Sequence, residues 1–230
     1  MTTSREDPRV TRSRVLILDA ATQVFLARGY QGATVDQVAE AAGVAKRTIY
    51  NVYRDKDALF RATILRSIEI ADRFSSSLAS DVRGVADPVG ELPEIGARLA
   101  HSVLIGPVLP LRRLLVMESE AFPDLAAEYR DRAPGAVLRA LGDLFAQLSA
   151  RRHLRRGDPA LAAEHFAFLV MGADLDRGMF SPLDLDAQRV RTRALAGVDA
   201  FLRAYAAPAD RLKTIDHSHG GTPRTSSVSG

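Results

Sequence analysis

The 230-residue sequence contains no cysteine, which removes disulfides, thiolate nucleophiles and cysteine-ligated zinc from the chemistry open to it. A reducing cytoplasm fits that absence. No uncharged stretch approaches the roughly 20 apolar residues needed to span a bilayer. The opening MTTSREDPRVTRSR lacks the apolar run of a signal peptide. A cytoplasmic protein with no membrane partner is therefore expected. Charge of one sign is scarce too: 31 Lys and Arg against 28 Asp and Glu leave a net +3, which permits nucleic-acid binding but is no strong basic footprint. Enzyme signatures are missing. There is no Glu-x-x-His pair of the di-iron bundles, no His-Glu-x-x-His, no Gly-x-Ser-x-Gly and no Walker loop, so neither an enzyme nor a cofactor is expected.

What is present is ordinary globular material, 47% hydrophobic and 26% charged, long enough for one large domain or two small ones. The ends, 1–11 and 208–230, are polar and rich in turn formers, and they read as a disordered arm and tail. Between them apolar residues recur at helical spacing, with no convincing period-two run and no internal repeat. The fold class is all-α, with about nine helices. The first runs from about Thr11 to Arg28, placing Ile17, Ala21, Val24 and Phe25 on one face and stopping at Gly29. The second opens at Thr34, which forms a capping box with Gln37, and closes at the turn Ala42-Gly43-Val44. A third starts near Ala45. Further helices are expected from Asp57 to about Phe74, then over 94–105, 110–121, 124–151, 158–180 and 186–206, with prolines near their ends and Pro134 kinking the longest.

Two short helices joined by a Gly turn and packed by a preceding amphipathic helix make a helix-turn-helix unit. Residues 34–53 fit that plan. In AKRTIYNVY, Ile49 and Val52 can face inward while Lys46, Arg47, Thr48, Tyr50 and Asn51 present donors. Lys56 and the free N–H groups beside Thr34 suit phosphates. The same pattern also fits a three-helix packing unit without a nucleic-acid partner.

The stretch ILDAATQVFLARGYQGATVDQVAEAAGVAKRTIYNVYRDKDALF, from Ile17 to Phe60, resembles the DNA-binding segment of the TetR family. Its matching positions are Ile17, Ala20, Ala21, Phe25, Gly29, Tyr30, Thr34, Gly43, Val44, Thr48, Ile49, Tyr50 and Lys56. The resemblance implies that Thr34, Thr48, Tyr50 and Lys56 contact phosphates, with Lys46, Arg47 and Asn51 near base edges of a double-stranded operator. Ala45, Arg47 and Tyr53 depart from the frequent Ser, Gly and Phe; Ala45 weakens the third helix's cap, and Arg47 suggests a distinct operator preference. The segments Met117–Tyr129 and Arg155–Gly172 resemble a recurrent C-terminal pattern of the same family.

The implied organisation is an arm at 1–11, a DNA-binding domain at 12–56, a helical ligand-binding and dimerisation domain at 57–207, and a tail at 208–230. The implied function is a repressor that binds a palindromic operator as a homodimer and is released by a small, mostly apolar effector. An activator on the same scaffold, or a helical-bundle enzyme or lipophile carrier whose first helices serve only packing, are the alternatives. Candidate pocket residues are Leu104, Met117, Tyr129, Phe166 and Val170, with His101 as a polar anchor. Dimerisation is expected to depend on residues 158–206, whose helices carry apolar surface on more than one side through Phe166, Leu169, Val170, Val198, Phe201 and Leu202, one face packing inward and another meeting a partner. Glu120, Asp124 and Glu128, spaced by four, read as a solvated face rather than a metal site. His217 and His219 look incidental, and Arg151, Arg152, Arg155 and Arg156 read as a solvated helix end.

Overall fold

The computed structural model describes residues 8–81, 87, 89–182 and 184–208. The described residues form α1 (Pro8–Gly32), α2 (Val35–Ala42), α3 (Lys46–Val52), α4 (Lys56–Asp81), α5 (Leu92–Leu104), α6 (Val108–Met117), α7 (Pro123–Arg132), α8 (Pro134–Ala150), α9 (Pro159–Phe180) and α10 (Ala187–Tyr205). Their only extended pairing is an isolated antiparallel bridge, Leu154 to Ala206, so the all-α expectation holds. Helix begins at Pro8, inside the expected arm. Residues 1–7 and 209–230, with His217 and His219, lie outside the described residues.

Local chemistry sets most boundaries. α1 changes direction at Gly29 (φ 69°, ψ 175°), where the sequence signals its end. α2 carries the capping box: Gln37 N–H donates to Thr34 Oγ1 at 3.3 Å, and Thr34 N–H donates to Gln37 Oε1 at 3.0 Å. Gly43 closes it at φ 64°, ψ 32°, a left-handed conformation that costs glycine nothing. Ala45 makes no side-chain cap, so α3 relies on the buried Ile49 to hold it down. The segment expected as one helix over 124–151 divides into α7 and α8. Pro134 lacks an N–H for the helical ladder, and Ala133 before it takes φ −96°, ψ −88°, outside the helical basin. Asp158 caps Ala160 and Leu161 to open α9, Asp186 caps Arg189 to open α10, and α9 bends at Gly172.

Two apolar cores result, and α4 enters both. The first gathers Ile17, Phe25 and Tyr30 of α1, Ile49, and Leu59, Phe60 and Ile64 of α4 with Leu111, Leu114, Phe122 and Leu125 from the α6–α7 region. Its centre is aromatic: Tyr30 to Phe60, Tyr30 to Phe122 and Phe60 to Phe122 lie 4.9, 5.0 and 5.1 Å apart between centroids. Such pairs add about 0.5–1.5 kcal/mol each beyond area burial. The second core gathers Phe74 and Leu78 of α4 with α5, α8, α9 and α10 around Phe145, Phe166 and Phe201.

That second core shows which apolar residues of α9 and α10 form the inward face. Phe166, Val170, Val198, Phe201 and Leu202 are interior to the protomer; of the six, Leu169 alone is exposed, as are Leu161 and Phe168 of the same helix. α9 is apolar on most sides, so periodicity cannot rank its faces.

α9 and α10 cross closely. A β-carbon on Gly197 would stand 2.2 Å from the Leu169 carbonyl oxygen and 2.9 Å from the Val170 Cα. Gly197→Ala is expected to push these helices apart at a cost of about 1–3 kcal/mol. By circular dichroism the thermal midpoint should fall by roughly 2–12 °C. Gly32→Ala, whose β-carbon meets only Arg28 Cβ at 3.6 Å, should leave the midpoint little changed.

Candidate nucleic-acid interface and ligand cavity

α3 buries Ile49, half-buries Thr48 and Val52, and turns Lys46, Arg47, Tyr50 and Asn51 outward. The 3.6-residue period does this: with Ile49 inward, positions 46, 47, 50 and 51 fall on the opposite side. Arg47 and Asn51 have no hydrogen-bond or ion-pair partner among the described residues, so their donors are available at the surface. Lys46 is engaged. Its Nζ lies 2.8 Å from Asp36 Oδ1 and 5.9 Å from the Tyr50 ring centroid, and the hydrogen bond to Asp36 raises its pKa. Both partners are exposed, so the pair is weak and a phosphate can compete with it.

Thr34 stands exposed at the start of α2. Its oxygen accepts from Gln37, which leaves the hydroxyl hydrogen to donate outward. Lys56 behaves differently from its neighbours. Its Nζ donates to the carbonyls of Tyr30 (3.0 Å) and Ala33 (3.2 Å) and sits 4.3 Å from the Tyr30 ring centroid. Two of three donors therefore tie the end of α1 to the start of α4, and one remains for a phosphate. The Tyr30 hydroxyl donates to Asp57; burial first, and that hydrogen bond second, push its pKa up.

A cavity of about 110 Å³ opens between α4, α5, α6, α7, α8 and α9. Its walls are mainly apolar, including Phe74, Leu99, Val103, Val137, Phe168 and Met171. Of the pocket residues expected from sequence, Tyr129 lies on this wall. Leu104, Phe166 and Val170 do not; they pack in the second core. His101 is exposed on the outer side of α5, and Met117, the last residue of α6, is 66% exposed. An apolar pattern marks an inward face but not whether that face meets a neighbour or a void. Sequence reasoning passed over Phe168 and Met171, on the turn before the α9 bend, and Arg112. The one available signal for Arg112 was a pair of arginines inside the apolar run LPLRRLLVM.

The carboxylates at 120, 124 and 128 do not converge. Asp124 takes a two-point ion pair from Arg61 (2.6 and 2.9 Å), which lowers its pKa, and Glu128 pairs with Arg132 at 2.7 Å. Among the described residues no group of three His, Asp or Glu side chains suits a metal ion. Arg151, Arg152, Arg155 and Arg156 are exposed beyond α8.

Residues 17–63 match the model for bacterial regulatory proteins of the tetR family, and residues 90–207 match that for the C-terminal domain of AefR-like transcriptional repressors. The HTH-type transcriptional regulator TtgR of Pseudomonas putida is 25% identical over 202 residues, covering 88% of this chain and 83% of that protein. The regulator YhgD of Bacillus subtilis is 49% identical over 45 residues, and that match spans only 20% of this chain and 24% of YhgD. A solved structure described as a TetR-family transcriptional regulator of Mesorhizobium loti superposes with a TM-score of 0.76 at 27% identity, covering 87% of this chain and all of that one. These matched families and relatives are transcriptional regulators, not enzymes.

The α3 surface makes a sharp prediction, because phosphate contacts are blind to sequence and base contacts are not. Tyr50→Phe should weaken binding to all DNA alike. Arg47→Ala should cost about 1–3 kcal/mol per base contact and relax discrimination at one position of each half-site. Fluorescence anisotropy on operator and scrambled duplexes separates the two; equal losses on both for Arg47→Ala would make Arg47 a phosphate clamp.

Proposed function

The chain belongs to the TetR family of transcriptional regulators, and from that premise we propose that it is a repressor that binds a palindromic operator as a homodimer and is released by a small, mostly apolar effector. The observation that carries this reading is the course of α4. Its first turns pack against α1 through Leu59, Phe60 and Ile64, and further along Ser67, Ile70, Ala71 and Phe74 form one wall of the cavity. Any ligand that displaces that wall moves a helix rooted in the DNA-reading unit. α7 provides a parallel link, since Tyr129 lines the cavity while the Arg61–Asp124 pair and the Tyr30–Phe122 contact bind the α7 region to α4 and α1.

The proposed switch is a population shift. Ligand and operator favour different separations of the two α3 copies in the dimer, and each weakens the other by the same factor. A coupling of about 1–3 kcal/mol, roughly 5- to 150-fold, is typical. Exposed Leu161, Phe168 and Leu169 on α9 support self-association through that side. In this reading Thr34, Thr48, Tyr50 and the remaining donor of Lys56 grip phosphates, while Lys46, Arg47 and Asn51 approach base edges. The absence of any single helix long and apolar enough to cross a membrane, among the described residues, fits a cytoplasmic site of action.

Selection of bound duplexes from a random library should return a palindrome with half-sites about one helical turn apart. Filling the cavity with Val137→Phe should preserve operator affinity while abolishing release by ligands found in a thermal-shift screen. Loss of sequence-specific binding by the unmodified protein would overturn the regulator's proposed operator mode; undiminished release in Val137→Phe would place the effector elsewhere.

A further inference from the structure

Arg112 is the sole charged residue among those lining the cavity. Its neighbour Arg113 donates to the Gly178 carbonyl at 2.9 Å, tying α6 to α9. The guanidinium of Arg112, a half-buried residue, makes no hydrogen bond or ion pair among the described residues. A guanidinium beside an apolar void, with five donors and no acceptor, is costly unless something supplies the acceptor. The other polar groups on the wall divide cleanly. The hydroxyls of Ser67 and Ser102 are spent on the carbonyls of Ile64 (2.6 Å) and Arg98 (2.8 Å). The Tyr129 hydroxyl is not: the residue is 6% exposed and its side chain has no hydrogen-bond partner among the described residues. Burial raises the Tyr129 pKa while the positive charge of Arg112 acts against that rise, which places the two groups within electrostatic reach of each other. Pro134, the first residue of α8, also lines the cavity, so the positive end of that helix adds potential of the same sign.

The wall therefore offers an apolar body with one cationic, donor-only corner. Its volume, about 110 Å³, is below that of an apolar cavity of about 150 Å³ known to hold benzene, so an occupant is compact or extends past the exposed rim at Phe168. We propose that the cavity takes a compact apolar carboxylate, an aromatic or medium-chain acid, whose carboxylate is held by Arg112 and the Tyr129 hydroxyl while its body packs among Phe74, Val137 and Met171. This rests on the effector reading above and names the chemical class of the effector. A planar two-oxygen anion matches the guanidinium fork, which a neutral amide or alcohol of the same shape does not.

The test uses paired probes on the full chain: benzoate against benzamide and octanoate against octanamide, by isothermal titration calorimetry, with operator release followed in the same samples. The carboxylate of each pair should bind roughly ten- to a hundredfold more tightly than its amide, the range expected for hydrogen bonds to a charged group. R112Q should erase that preference, R112K should retain part of it, and Y129F should reduce it less than R112Q. Because Arg112 holds no structural partner, R112Q should melt close to the unmodified protein; if it unfolds, the carboxylate–amide comparison on the unmodified protein still decides. Equal affinity within each pair overturns the carboxylate assignment and leaves an apolar effector standing. Failure of all four probes to bind also overturns it, while the Val137→Phe experiment with screened ligands decides the wider effector reading on its own.

Discussion

The structure depends on the continuity of α4. Its 26 residues, roughly 39 Å of unbroken helix, bury Leu59, Phe60, Ile64 and Ile68 in one core and Phe74 and Leu78 in the other. Separate short helices would let the two cores drift against each other. One helix shared by both forces them to move as neighbours, because close-packed interiors do not deform smoothly. The aromatic contacts of Phe60 with Tyr30 and Phe122, and the clamp of Lys56 on the Tyr30 and Ala33 carbonyls, anchor the N-terminal end of that helix.

Charge is distributed in keeping with that division of labour. Many arginines spend their donors on joining elements: Arg61 to Asp124, Arg66 to Asp19, Arg191 to Glu94, and Arg177 with Arg193 around the buried Asp174. Arg47 on α3 and Arg112 on the cavity wall do not. The first faces outward from a helix-turn-helix, the second lines an apolar void, and both retain a planar fork of donors suited to two-oxygen or two-acceptor partners. The same side chain thus stands in two different surroundings, solvent for Arg47 and a mainly apolar wall for Arg112.

The amino-acid sequence by itself determined the elements whose causes are local. The Thr34–Gln37 capping box, the left-handed Gly43, the break at Gly29 and the inward Ile49 each depend on residues within a few positions of one another, so spacing alone disclosed the helix-turn-helix and its outward donors. Tertiary structure alone decided what depends on distant partners. Lys56 reads from sequence as a free phosphate ligand, but the carbonyls it clamps lie more than twenty residues away. Phe166 and Val170 read equally well as pocket or dimer residues, yet packing against α5, α8 and α10 makes them core. His101 and Met117 turn outward, and Arg112 gains its meaning only when six helices leave a void beside it. Helical periodicity fixes which residues share a face, whereas what that face meets is settled by how separate helices fit together, and no local pattern encodes that fit.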